Sequence, residues 1–135
     1  MKAETAQEVR VLLARSLLEA HDLGLRMVAA RCRNAGIEVI YSRFGQIEEM
    51  ARAAEQEDVQ LIGVTVSSGN HLYIAAELLK LLKEKGLSLP LILGGVIPTR
   101  DVPPLLEMGV AKVFGPGSMP DDAAKAILEL TARRG

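Results

Sequence analysis

Short runs of apolar residues recur along the whole chain, and the segments between them repeat their apolar positions every 3.6 residues or so. The runs lie at 9–14, 37–42, 60–66, 89–93 and 110–114. Their length and β-branched content are typical of strands buried on both faces of a parallel sheet. Strands that alternate with helices need crossover connections, so the pattern predicts a doubly wound α/β domain.

The helical spacing predicts helices around 25–32, 47–54, 74–82 and 124–131. A further helix between the last two strands contains Pro103 and Pro104, so we expect it to start late or to be only partly regular. The prediction is a flavodoxin-like five-stranded parallel sheet of order 2-1-3-4-5 with helices on both faces. In such sheets ligands bind outside the carboxyl ends of the strands, where the strand order reverses.

The chain has 135 residues, of which 49% are hydrophobic. This length predicts one domain over 1–135, with residues 1–8 as a disordered segment before the first strand. The single cysteine, Cys32, continues the apolar stripe of the first helix and is expected to pack in the core. One thiol cannot form an internal disulfide, so nothing in the cysteine content points to an oxidising compartment.

The charges nearly balance, with 16 basic and 17 acidic side chains. Binding to nucleic acid or to a membrane surface needs a basic patch, so we expect neither partner. The longest apolar stretches are far shorter than the roughly 20 residues that span a bilayer, and the first residues lack a signal-peptide core. These features predict a cytoplasmic protein.

Loops at the predicted carboxyl ends of the strands carry the candidate chemistry. Three of them, at 65–71, 94–98 and 115–120, are rich in Gly, Ser and Thr. The loop at 14–24 instead carries charged residues and His21. Together they predict a wide polar crevice with one imidazole. No Walker loop, no GxGxxG at the first helix and no GxSxG elbow is present, which disfavours nucleotide binding and a serine hydrolase.

The chain has two histidines, and both lie near this edge. A lone surface histidine is the simplest interpretation of His21, but Glu19 two residues earlier can fix its tautomer and leave the other ring nitrogen for a metal. One imidazole is too few for zinc and sufficient for a macrocycle that brings its own equatorial ligands. His71 is predicted at a helix terminus in solvent, or else in contact with a cofactor or partner.

The segment Glu-Ala-His-Asp-Leu-Gly at 19–24 resembles the Asp-x-His-x-x-Gly signature of cobalamin-binding domains. The resemblance continues with Thr65-Val66-Ser67, Gly94-Gly95 and the stretch from Phe114 to Ser118, in the family's order. The resemblance covers nearly all of residues 8–131. Within the family, the sequence is similar to the cobalamin domain of methylmalonyl-CoA mutase and related acyl-CoA mutases.

The resemblance implies that His21 is the cobalt ligand, with Glu19 as its hydrogen-bonded partner and Arg15 in the place of a supporting lysine. It implies that Thr65 and Ser67 line a slot for the nucleotide tail of cobalamin, for which Gly94 and Gly95 leave room. The remaining cofactor-binding residues that it implies are Ala20, Asp22, Gly24, Val28, Phe114, Gly115, Gly117 and Ser118.

Four positions depart from the family pattern. Glu19 stands where the family has Asp, Arg15 where it has Lys, Ala20 where Gly is frequent, and Ser67 where it has Leu. The longer carboxylate changes the hydrogen-bond geometry to the imidazole, and the guanidinium is bulkier and permanently charged. A relative that kept the fold and lost or weakened the cofactor is therefore an alternative.

The function implied is an adenosylcobalamin-binding small subunit of an acyl-CoA mutase. A separate TIM-barrel subunit would bind the acyl-CoA and shield the radical isomerisation. The alternatives are a cobalamin sensor without activity, a cofactor-free interaction module, and a corrinoid carrier for methyl transfer. Such carriers usually have a helical cap before the α/β domain, whereas the first strand predicted here begins at Val9.

Overall fold

The computed structural model describes residues 9–16, 23–67, 69–115 and 117–132. The predicted segment 1–8 and the predicted site residues Glu19, Ala20, His21 and Asp22 lie outside the described residues. The strands are β1 (Arg10–Ser16), β2 (Glu38–Phe44), β3 (Leu61–Val66), β4 (Leu91–Gly95) and β5 (Lys112–Phe114). The helices are α1 (Leu23–Asn34), α2 (Ile47–Glu57), α3 (His71–Glu84), α4 (Val102–Met108) and α5 (Pro120–Ala132).

All strand pairs are parallel, and the sheet order is β2-β1-β3-β4-β5. The predicted fold class and strand order are confirmed. The chain reverses its direction across the sheet between β1 and β3, because β2 lies on one side of β1 and all later strands lie on the other. This is the topological switch point at which open α/β sheets bind ligands.

Alternate residues of β1 enter two separate cores. Val11 and Leu13 pack with α1 and α5, whereas Leu12 and Ala14 pack with the residues of α2, α3 and α4. Successive side chains of a strand point to opposite faces of the sheet. A strand that is apolar at every position must therefore be covered on both faces, which is why helices flank the sheet on both sides. None of the helices in the described part of the chain is long and apolar enough to cross a membrane.

The helix between β4 and β5 is partly regular, as the two prolines predict. A 3-10 turn at Thr99–Asp101 precedes α4, and the prolines occupy the first turn of the helix, where no hydrogen-bonded N–H is needed. The helix ends at Gly109 in the left-handed conformation.

Three strands, β1, β2 and β4, extend further toward the carboxyl edge than predicted. β1 continues to Ser16 because β2 continues beside it to Phe44, whose side chain is buried. Arg15 therefore lies in a strand and not in the loop that the sequence predicted. Likewise Gly94 and Gly95 pair with β3 as the last residues of β4, so the loop begins at Val96.

Cys32 is buried in the α1–α5 core, as predicted. Burial raises the pKa of its thiol from 9.0 to about 11, because the thiolate would lose its hydration there. Since the thiolate is the nucleophile, we expect a disulfide reagent at pH 8 to label the native protein about 100-fold more slowly than the denatured chain. Stopped-flow labelling would measure both rates, and equal rates would contradict the burial of this thiol.

Candidate functional site

One row of residues crosses the sheet near its carboxyl edge. Arg15 is in register with Arg43 on one side and with Thr65 on the other. Thr65 pairs with Gly94, and Gly94 pairs with Phe114. Residues in register on parallel strands share a face, and strand alternation assigns this row to the face that α1 and α5 cover. Predicted site residues from four strands thus lie side by side.

A second row lies two residues deeper on the same face. Leu13 is in register with Gly63, and Gly63 with Ile92. A Cβ added to Gly63 would stand 2.9 Å from Leu13 Cδ2 and 3.3 Å from Ile92 Cγ1. Leu13 and Ile92 therefore pack closely over Gly63, where any side chain would displace them.

The second row, together with Thr65, Gly94 and Phe114 of the first, forms one wall of a cavity of about 310 Å³, which we term the edge cavity. The other walls come from α1 and from the segment that connects β5 to α5. The predicted cofactor-binding residues that line it are Gly24, Val28, Thr65, Gly94, Gly95, Phe114, Gly115, Gly117 and Ser118. Its volume falls at the lower end of the range of small-molecule sites.

The edge cavity differs from the predicted crevice in its chemistry. The sequence predicted a wide polar site, whereas Leu13, Leu25, Val28 and Ile92 make much of the lining apolar. The cause is strand alternation, which brings side chains from strand interiors into the site besides the Gly, Ser and Thr residues of the loops. Thr65 and Ser118 contribute the hydroxyl groups of the lining.

Two described residues of the predicted site do not line the cavity. Ser67 follows the end of β3 and is exposed. Arg15 is buried beside Thr65, and its Nη1 lies 3.5 Å from the Ser16 carbonyl oxygen to which it donates. Conversely, Leu13, Gly63 and Ile92 line the cavity although they were not among the predicted site residues. Of these, Gly63 was recognisable from the sequence, because a glycine within a strand often marks a place where a ligand or another backbone approaches closely.

The two glycines at the end of β4 have different roles. A Cβ on Gly94 would meet only Phe114 atoms, at 3.5 and 3.8 Å, which are ordinary contacts. A Cβ on Gly95 would lie 2.2 Å from the Val66 carbonyl oxygen, and the φ angle of Gly95 is +117°. Gly95 is therefore required by the backbone itself, while Gly94 keeps a wall of the cavity bare.

The start of α5 borders the cavity and is held to α1. The Met119 backbone N–H donates to Asp122 Oδ2 at 2.9 Å, which caps the helix, and the Ser118 N–H donates to the Gly115 carbonyl oxygen at 3.1 Å. Arg31 in the last turn of α1 forms an ion pair with Asp121 of α5. This ion pair links α1 to α5 on the face of the sheet that carries the cavity.

His71 is buried, which contradicts the prediction of a helix terminus in solvent. It is the first residue of α3, and its Nε2 lies 2.7 Å from Oδ2 of Asp101 at the end of the 3-10 turn. The two groups are 30 residues apart, so no local pattern connects them. Among the residues that the structure describes, no three His, Cys, Asp or Glu side chains group together as metal ligands.

Comparison with known families agrees with this geometry. The model of the family described as "B12 binding domain" matches residues 9–125. That range contains both rows of the sheet and all residues that line the edge cavity.

Individual relatives match nearly the whole chain. The small subunit of 2-hydroxyisobutanoyl-CoA mutase from Aquincola tertiaricarbonis is 40% identical over 129 residues, which are 94% of this chain and 95% of that protein. The small subunit of pivalyl-CoA mutase from Xanthobacter autotrophicus is 36% identical, over 90% of this chain and 83% of that protein. The resemblance to cobalamin domains of acyl-CoA mutases is confirmed.

A solved structure shares the fold. The crystal structure of a cobalamin-binding protein from Desulfitobacterium hafniense superposes with a TM-score of 0.77 at 19% identity, over 92% of this chain and 59% of that protein. At this identity the likeness supports the fold alone.

Proposed function

The chain belongs to the B12-binding domain family, and from that premise we propose that it is the cobalamin-carrying small subunit of an acyl-CoA mutase. Relatives that it matches over most of their length are small subunits of such mutases. The acyl-CoA would be bound by a separate large subunit with a TIM barrel. When bound, the adenosyl form of cobalamin supplies the radical chemistry of carbon-skeleton isomerisation.

The observation that carries the proposal is the edge cavity. It lies at the switch point of the sheet, it holds about 310 Å³, and residues from several strand ends line it. Apolar side chains and bare glycine backbone suit a flat heteroaromatic ring such as the benzimidazole of the cobalamin tail, and Thr65 and Ser118 offer hydroxyls to its polar linker. The described residues therefore fit the tail of this cofactor.

We assign cobalt binding to His21 and its orientation to Glu19, on the motif at 19–24. The position of the motif supports this, since Leu23 begins α1 and Gly24 lines the edge cavity. Ala20 and Asp22 belong to the same motif. Arg15 lies in β1 beside Thr65, so its proposed role is to support the wall of the cavity.

The partner is inferred from chemistry. Radical reactions need a site closed to water, and the edge cavity lies at the rim of the sheet. Apolar side chains beyond the strand ends stand in solvent, with Val96 60% exposed and Met119 63% exposed. A large subunit that docks on this edge would cover them together with the cofactor.

Titration of the purified protein with hydroxocobalamin and adenosylcobalamin, followed by visible absorption, tests cofactor binding. We expect a saturable change to the spectrum in which histidine has replaced the cofactor's own base. Cobinamide, which lacks the nucleotide tail, is the matched ligand and should bind more weakly because it leaves the edge cavity empty. A wild-type protein that binds neither corrinoid would contradict the proposal and favour a cofactor-free module.

Size-exclusion chromatography with a large mutase subunit tests the second half of the proposal. We expect a complex and isomerase activity only when both chains and adenosylcobalamin are present. Binding of cobalamin without a complex or activity with any acyl-CoA mutase large subunit would instead favour a sensor.

A further inference from the structure

A buried histidine–aspartate pair ties together two connections at the carboxyl edge. We propose that His71 and Asp101 are positioning residues that hold the segment 95–101 against β3 and so keep the edge cavity shaped for the cofactor's tail. This inference rests on the proposed function for the identity of the ligand, and it adds residues that the cobalt-binding motif does not include.

The geometry of the pair assigns Nε2 of His71 as the donor. The side chains of His71 and Asp101 are 5% and 19% exposed, and Nε2 lies 2.7 Å from Oδ2. A carboxylate only accepts hydrogen bonds, so Nε2 carries the proton and donates it. A short hydrogen bond to a charged acceptor is among the stronger polar contacts in proteins. The second ring nitrogen, Nδ1, takes no part in this bond.

The pair is the last of three anchors along the segment 95–101. At its start the Val96 N–H donates to the Val66 carbonyl oxygen at 3.0 Å. In the middle, the side chain of Ile97 is buried in the core. At its end Asp101 bonds to His71. Because Gly94 and Gly95 line the edge cavity and run directly into this segment, a displacement of the segment would move that wall.

The second ring nitrogen argues against a role in stability alone. Nδ1 of His71 is buried, and no residue that the structure describes forms a hydrogen bond with it. A buried polar atom without a partner lowers stability, and an apolar side chain of similar size would avoid that loss. A histidine at this place is better explained by the donor that it directs at Asp101 than by its contribution to the core.

Amide hydrogen exchange in the cofactor-free protein tests the positioning directly. His71→Leu fills the space without a donor, and His71→Gln keeps a donor. We expect the Val96 amide to exchange about tenfold faster in the leucine variant, and the glutamine variant to restore protection. The Ile62 amide, which bonds to the Pro90 carbonyl oxygen at the opposite edge, is the internal control and should not change.

Affinity measurements connect the pair to the tail. We expect His71→Leu to weaken hydroxocobalamin binding about tenfold, to leave cobinamide binding unchanged, and to recover with glutamine. Equal Val96 exchange in all variants, or faster exchange of Ile62 as well, would overturn the positioning role. Loss of cobinamide affinity by the same factor, or unchanged hydroxocobalamin affinity, would overturn the link to the tail. A wild-type protein that binds neither corrinoid contradicts the proposed function itself, before any variant is compared.

Discussion

Replacement of His21 by alanine is expected to abolish the spectral change that marks histidine on cobalt and to weaken hydroxocobalamin binding about 100-fold. The reason is that the motif at 19–24 offers one imidazole, and the macrocycle already supplies the equatorial ligands. The tail would still enter the edge cavity, so we expect residual binding. Visible titration and equilibrium dialysis of wild type and variant would measure the two effects.

Two further variants make this result interpretable. Glu19→Gln keeps a hydrogen-bond acceptor for the ring but removes the charge, so we expect a smaller loss, near tenfold. Lys83→Ala is the control, because Lys83 lies in the last turn of α3, at the opposite edge of the sheet, and binding should not change. An unchanged spectrum in His21→Ala would exclude this histidine as the cobalt ligand.

The fold was predictable because its sheet is buried on both faces. Leu61, Ile62 and Val64 are apolar in succession, and such runs stand out from the helices by period alone. The ends of the strands were less predictable. The last residues of β1 are Arg15 and Ser16, which do not look like strand residues, and they are held there by pairing with β2. Pairing is a tertiary property, and a single segment does not encode it.

The site was predictable where it is built from loops and less so where it is built from strand interiors. Thr65 and Gly94 stood out by their place in the loops after predicted strands, and Phe114 by the family resemblance. Leu13 and Ile92 look like any core residues, and they line the edge cavity on either side of Gly63. The burial of His71 depends on Asp101, which no local pattern connects to it.

The carboxyl edge therefore meets two structural requirements, one through Gly94 and the other through Gly95. The face toward α1 and α5 must stay open for a ligand, and Gly94 serves that face. The backbone at the end of β4 must also approach β3 closely, and Gly95 permits this approach, with the His71–Asp101 pair at the far end of the segment that follows. The adjacent glycines thus have different roles, because an added Cβ would meet only ordinary contacts at Gly94 but backbone atoms of Val66 at Gly95.

Substitution of the two glycines should separate binding from stability. Gly95→Ala is expected to lower the free energy of unfolding by about 3 kcal/mol, because its Cβ would meet the Val66 carbonyl oxygen and its φ is positive. Gly94→Ala should leave stability unchanged or raise it by up to about 1 kcal/mol, since its Cβ meets only ordinary contacts. Urea denaturation of both variants would measure the difference.

Gly94→Val extends the comparison to the ligand. Two methyl groups on that Cβ would occupy the edge cavity, so we expect a folded protein whose hydroxocobalamin affinity falls about 100-fold while its cobinamide affinity stays near that of wild type. The contrast matters because His21→Ala should weaken both corrinoids, as it removes the contact to cobalt and leaves the cavity intact. Equal losses for both corrinoids in Gly94→Val would mean that the tail does not enter the edge cavity, even if His21 binds cobalt.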